Sequence, residues 1–361
     1  MELTSYMNDA VGRIFREAML SSRFAPKELA FLSRAASAQK AAVRKRSRAA
    51  LDGSPVPPFL IASVATRCNL HCAGCYARAN GACADGPAKE ELSAARWGEL
   101  FREAQELGVS FVLLAGGEPL ERPDVLDEAA KLEKLIFPVF TNGTLFTGAM
   151  LDRFDRHRNL IPVLSAEGGR DETDRRRGEG VYDAVRRAME GMKRLGLFFG
   201  VSATVTKENL ATVTGADFVS NLREAGSRLL FLVEYVPADG NAAPALDDRD
   251  RQDLDIAQRA LSARFPDMVV LSFPGDEAKM GGCLAAGRGF FHINASGGAE
   301  PCPFSPFSDT SLKTGSLQSA LDSELFRKIR DSSLQEPEHV GGCALFPKSA
   351  EIENLLKGGT K

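Results

Sequence analysis

Three cysteines close together constrain this chain more than any other feature. They lie in the run Cys68-Asn69-Leu70-His71-Cys72-Ala73-Gly74-Cys75-Tyr76, directly after a β-branched, apolar stretch from Phe59 to Thr66. Thiolates are soft ligands, suited to iron–sulfur clusters and to zinc. A gap of three residues and then two lets one short loop wrap three corners of a small inorganic object. A [4Fe–4S] cube usually takes four cysteines, so a cube held by three leaves one iron open to a substrate or cofactor. Two other uses stay open on spacing alone. Structural zinc wants a fourth Cys or His at short range, and both His71 and Cys83 are near. A disulfide framework belongs to short secreted chains; this one has 361 residues and is expected to carry no export signal.

A second motif, Gly116-Gly117-Glu118-Pro119, follows the next apolar run, Val109 to Leu114. The two glycines permit close backbone approach, Pro119 stiffens the turn, and Glu118 can anchor it by hydrogen bonding. These two motifs, in this order and each behind a strand, resemble the radical S-adenosylmethionine (SAM) enzymes. One departure is Gly74, where the family often has an aromatic residue; here Tyr76 follows the third cysteine instead.

The resemblance implies an α/β fold, a partial (β/α)6 TIM-like barrel open on one side. It also implies a SAM-binding [4Fe–4S] cluster on Cys68, Cys72 and Cys75, fed by an electron donor such as flavodoxin or ferredoxin. Tyr76 and the residues Gly116, Gly117, Glu118 and Pro119 would bind SAM, the latter loop at its methionine amino group. Asn142, in Thr141-Asn142-Gly143, would lie near the cofactor, although that tripeptide alone reads equally as a tight turn. Ser165 and Arg177 would touch the ribose or carboxylate; a guanidinium fork matches a carboxylate. Glu167 stands where relatives often have Asp, and Arg175-Arg176-Arg177 by itself also reads as a solvated loop.

The pattern of the chain agrees with such a fold. Alternating strand and helix signals argue for parallel β/α units. Strands are expected at 59–65, 109–114, 136–141, 160–165, 198–205 and 228–236. Helices are expected at 94–107, with Ser93 as N-cap and Gly108 as its end, and near 122–134, 147–156, 181–195 and 214–225. Residues 1–54 read as helical, with Met7, Val11, Ile14, Phe15 and Ala18 on one face and a second helix from Pro26 to about Ala50. The basic run Arg44 to Arg48 reads as a solvated helix face or as a site for an acidic partner or membrane headgroups. The expected division is a helical segment at 1–54, the barrel at 55–266 and a further domain at 267–361. In α/β barrels chemistry sits at the carboxyl ends of the strands. There Thr204 and Asn209 could reach the adenosine, and Glu234 and Tyr235 could orient substrate, move a proton or cap the barrel.

Beyond Pro266 come Gly-rich turns and short strands. Cys283, Gly297 and Cys302 form Cys-x13-Gly-x4-Cys, with Cys343 further on. This looks like the opening of the SPASM or twitch extension of many radical SAM enzymes, which implies an auxiliary [4Fe–4S] cluster on Cys283, Cys302 and Cys343. A hairpin over roughly 289–293 and 299–301 and a helix near 316–330 would carry it. For the fourth ligand His339, Cys83, water or substrate stay open, as does a role for Cys83 as a hydrogen-atom donor.

Net charge −3 gives no whole-protein attraction to nucleic acid, and no apolar run approaches the ~18 residues that would span a membrane. Seven cysteines suggest a reducing cytoplasm. The expected function is SAM cleavage to a 5′-deoxyadenosyl radical that takes hydrogen from a peptide or protein side chain. Tetrapyrrole or other small-molecule chemistry is the alternative. A non-catalytic electron carrier or redox sensor is a further one, but it would have no use for the Gly-Gly-Glu-Pro loop.

Overall fold

The computed structural model describes residues 3–22, 26–85, 90–274, 280–335 and 343–358. Seven parallel strands run in chain order: β1 (Phe59–Ala65), β2 (Phe111–Gly116), β3 (Phe137–Thr141), β4 (Leu160–Ser165), β5 (Gly200–Val205), β6 (Leu229–Glu234) and β7 (Val269–Phe273). Each pairs with the next, in register such as Phe59 with Phe111 and Leu229 with Val269. Such strands, covered on both faces, read as continuous apolar runs, and β1 and β4 are buried along nearly their whole length.

The helices between strands stop and start on local chemistry. Ser93 Oγ accepts the Arg96 N–H at 3.1 Å, and Gly108 ends that helix, Ala94–Leu107, at φ +97°. Thr147 caps Gly148–Arg156 in the same way. The helix expected over 122–134 is shorter, Pro123–Ala130: it begins just after a separate 3-10 turn, Pro119–Glu121, and ends early, at Lys131. A helix and a strand that extend the barrel went unread in the sequence. Asp247 and Asp250 form a capping box at the start of Asp248–Arg264, and that helix leads into β7, which carries the parallel sheet past Pro266.

Beyond β7, β8 (His292–Ile293) pairs parallel with β1, and β9 (Gly298–Glu300) and β10 (Thr310–Ser311) follow antiparallel. The hairpin is therefore hydrogen-bonded to the barrel's first strand and extends its sheet. The helix expected near 316–330 is two, Leu317–Leu321 and Glu324–Arg330, because Ser323 Oγ accepts the Phe326 N–H and restarts the chain as an N-cap.

The amino-terminal helices, Leu3–Ser21 and Pro26–Leu51, plug the barrel's amino end. Val11, Phe15 and Ala18 pack with Phe31 and Leu32 against Ile136, Ile161, Phe198, Leu229 and Val269, at or beside the strand starts. The basic run is not wholly solvated. Arg46 is buried, donating to Gly108 O, to Ser110 Oγ at 2.8 Å and to Asn8 Oδ1 at 2.9 Å. Among the described residues no helix is long and apolar enough to cross a membrane.

Candidate functional site

The loop after β1 brings Cys68, Cys72 and Cys75 to the wall of one cavity of about 480 Å³ inside the barrel. Its neighbours clamp it from three sides. Gly117 N–H donates to Ala65 O and Glu118 N–H to Arg67 O, each at 2.7 Å. A Cβ on Gly117 would stand 1.8 Å from Arg67 O, and one on Gly116, at φ +119°, 2.7 Å from Ala65 O. Only glycine allows this approach. On another side Ala73 N–H donates to Arg176 O at 2.8 Å, and Arg176 Nε returns a bond to Ala73 O at 3.0 Å. On the third, Asn142 Nδ2 donates to Asn69 Oδ1 at 2.8 Å and lies 3.8 Å from Cys68 Sγ.

Glu118 belongs to this frame. Its buried carboxylate accepts from Thr141 Oγ1 at 2.7 Å, from Asn142 N–H at 2.8 Å and from Leu120 N–H at 3.0 Å. Burial pushes its pKa up to about 6. The resemblance gave this loop the methionine end of SAM; the structure engages the Glu118 side chain in joining β2 to β3. Pro119 opens the 3-10 turn that follows.

Glu167 holds the opposite wall. Its Oε1 accepts from Arg177 through Nε, at 2.8 Å, and Nη2, and from Arg176 Nη1 at 3.2 Å; its Oε2 accepts the Thr204 N–H at 2.7 Å. Arg177 sits in the last turn of a helix, Arg170–Arg177, rather than in a solvated loop. Its Nη1 lies 4.0 Å from Cys72 Sγ. Ser165 and Thr204 line the cavity. Asn209 departs from its expected place at the adenosine. Its amide donates to Glu167 O at 3.1 Å and to Thr204 O at 3.0 Å and accepts from Thr206, so it braces the wall from within.

Glu234 and Tyr235 both line the cavity at the end of β6. Gly74 has φ +66°, and a Cβ there would meet the Tyr235 ring at 2.6 Å. The space that a side chain at 74 would need is filled from β6. The Tyr235 hydroxyl donates to Asp239 Oδ1 at 2.7 Å; burial, with that carboxylate, pushes its pKa up to about 12. Tyr76, expected at the cofactor, lines the cavity and packs edge-on against Phe304 at 5.1 Å between ring centroids, while its phenol reaches Ser63.

That contact leads to a cluster sequence reasoning missed. The Ser63 hydroxyl and His292 Nε2 are 2.7 Å apart, and His292 Nδ1 lies 2.7 Å from Glu300 Oε2, all buried. The pairing of β1 with β8 makes this meeting, which no local spacing announces. Cys83 is buried beside the loop, where burial pushes its pKa up; His71 faces solvent and pairs with Asp85.

A second group of thiols lies beyond the barrel. Cys283, Cys302 and Cys343 are all buried. The Cys302 thiol is hydrogen-bonded to that of Cys343, with Cys283 close enough to act on it electrostatically; burial and then Cys343 push its pKa well up. Phe346 N–H points at Cys343 Sγ, 3.3 Å away. His339 lies outside the described residues.

The donors fit iron–sulfur cubes at both places. In the barrel, three thiols of one loop line a cavity, and an amide and a guanidinium point at two of the sulfurs. Burial pushes the Cys68 pKa up to about 12, so a metal has to displace its proton. Among the described residues no trio of His, Cys, Asp or Glu closes on a single ion, whereas a cube draws each thiolate to a separate iron.

Residues 62–219 match the family model described as Radical SAM superfamily. Over that stretch, somewhat less than half of the chain, it carries a radical SAM domain, and radical SAM enzymes use a [4Fe–4S] cluster and SAM as cofactors. The AdoMet-dependent heme synthase of Methanosarcina barkeri is 26% identical over 313 residues, 79% of this chain and 87% of that protein. Mycofactocin maturase MftC of Mycolicibacterium smegmatis is 26% identical over 312 residues, 81% and 76% of the two chains. Streptococcus suis SuiB bound to its precursor peptide SuiA shares the fold at a TM-score of 0.65 and 19% identity, over 80% of this chain and 71% of that one.

Proposed function

We propose that this enzyme takes a hydrogen atom from an apolar or aromatic side chain of a peptide or protein, and that residues 267–361 hold a second, auxiliary [4Fe–4S] cluster on Cys283, Cys302 and Cys343. When bound, the barrel cluster and SAM supply the 5′-deoxyadenosyl radical that abstracts the hydrogen. Cys68, Cys72 and Cys75 would hold that cluster, on a loop that the clamps keep in place. Arg177, oriented by Glu167, stands beside Cys72 Sγ, where it would meet the SAM carboxylate or ribose, with Ser165 and Thr204 on the same wall. Glu234 and Tyr235 face the reacting end, where a carboxylate and a phenol can orient substrate or carry a proton. Phe15, Phe111, Phe140, Phe198 and Phe231 seal the inner end, so water is kept from the radical.

The cavity wall is the observation that supports the substrate class. It is overwhelmingly apolar, and the two arginines on it, Arg176 and Arg177, both pair with Glu167. Such a wall favours an uncharged side chain over the carboxylates of a tetrapyrrole. The pairing of SuiB with a precursor peptide supports the same reading. The heme-synthase relative favours the tetrapyrrole alternative, which the experiment therefore includes. Reduced holoenzyme with SAM is offered peptide fractions or porphyrins. Peptide fractions should accelerate 5′-deoxyadenosine release, while acceleration by porphyrins alone would reverse the assignment. A flavodoxin or ferredoxin in a reducing cytoplasm is the electron donor we propose.

A further inference from the structure

We propose that Ser305 Oγ is the fourth ligand of the C-terminal cluster; the proposal rests on the reading of Cys283, Cys302 and Cys343 as ligands of that cluster. Ser305 is wholly buried, and among the described residues its Oγ has no hydrogen-bond partner. A buried hydroxyl without a partner is costly and asks for an explanation. Its place in the chain supplies one. Cys302-Pro303-Phe304-Ser305 closes a tight turn in which Ser305 N–H donates to Cys302 O at 2.9 Å. Cys302 and Ser305 then face each other across an antiparallel bridge. Residues so opposed project to one face, with Cβ atoms about 4.5–5.5 Å apart. The hydroxyl therefore stands on the same face as the Cys302 thiol, which itself meets Cys343 and lies near Cys283.

The same turn prepares Cys302 for metal. Phe304 N–H donates to its sulfur, as Phe346 N–H does to Cys343 Sγ, so each of these sulfurs has a backbone donor aimed at it. The turn thus presents two donors three positions apart, one sulfur and one oxygen. Three cysteines leave one iron of a cube without a protein ligand, and among the described residues Ser305 offers a buried polar group opposite Cys302 to take it. On ligation the Oγ–H bond breaks and an Oγ–Fe bond forms. The proton leaves to solvent and no electron is exchanged.

The test uses the full chain carrying Cys68/Cys72/Cys75→Ala, reconstituted without oxygen, so that only the C-terminal cluster is read. About four irons per chain are expected. Their Mössbauer spectrum should show one iron distinct from the other three. With Ser305→Cys added, four irons should remain and the distinct site should vanish into a four-thiolate pattern. With Ser305→Ala added, ferricyanide should convert the cluster to the three-iron form, read by EPR, at least tenfold faster. A Ser305→Ala cluster with unchanged spectrum and oxidation rate, or a Ser305→Cys cluster that keeps its distinct iron, overturns the serine ligand while leaving the cluster reading intact. Absence of iron from the starting triple variant overturns both.

Discussion

At the scale of single residues, Glu167 and Arg177 show how one carboxylate can organise a wall. Glu167 accepts from two arginines and from the Thr204 backbone, which leaves Arg177 Nη1 beside Cys72 Sγ. Arg177→Ala should leave the iron content unchanged and weaken SAM binding by about 10- to 100-fold, the loss of one charge-assisted hydrogen bond of ~1.5–3 kcal/mol. Equilibrium dialysis with labelled SAM measures it, and unchanged affinity would remove Arg177 from the cofactor site. The cysteines were legible in the sequence because their chemistry depends on local spacing. Asn209 was not, because its amide turns back on Glu167 O and Thr204 O, contacts set by where two strands end. The Ser63–His292–Glu300 cluster was invisible for the same reason, its members drawn from β1, β8 and β9.

At the scale of elements, the Gly-Gly-Glu-Pro loop is first a brace for the cysteine loop. Gly117→Ala would place a methyl group on Arg67 O, a backbone atom that cannot swing away. The variant should fold with its barrel intact by circular dichroism, yet lose most of the iron held by Cys68, Cys72 and Cys75. Retention of full iron would show that the loop tolerates displacement and that the brace is unimportant. The amino-terminal helices make a different test. Glu28 is buried 3.1 Å from Arg158 Nη1, and burial, against the opposing pull of Arg158, pushes its pKa up to about 7. A carboxyl whose folded pKa exceeds its unfolded value near 4.5 binds its proton more tightly when folded. The stability it contributes is complete below about pH 4.5 and is lost as pH rises through about 7. Glu28→Gln should therefore flatten the fall in Tm of the holoenzyme between about pH 5 and pH 8. An equal fall in the variant would show that Glu28 does not carry it. The amphipathic stripe announced that these helices pack, through Val11, Phe15 and Ala18. It could not announce against what, since their partners are the starts of strands more than a hundred residues away.

At the scale of the whole molecule, one sheet runs from β10 through β1 to β7, so the hairpin that precedes Cys302 is tied to the strand that leads into Cys68. Tyr76, next to Cys75, packs on Phe304, two residues after Cys302. The two groups of cysteines therefore share a seam. The order of the barrel strands was readable from apolar runs and turn residues, but the docking of β8 on β1 was not, because two-residue strands leave almost no periodic signal. The central claim is that the three-cysteine loop and its cavity cleave SAM. Anaerobically reconstituted, dithionite-reduced enzyme mixed with SAM tests it most directly, with 5′-deoxyadenosine and methionine quantified together. The account predicts that both form in equal amounts and that Cys72→Ala abolishes them; their absence from the wild type, or their undiminished formation by Cys72→Ala, would contradict it.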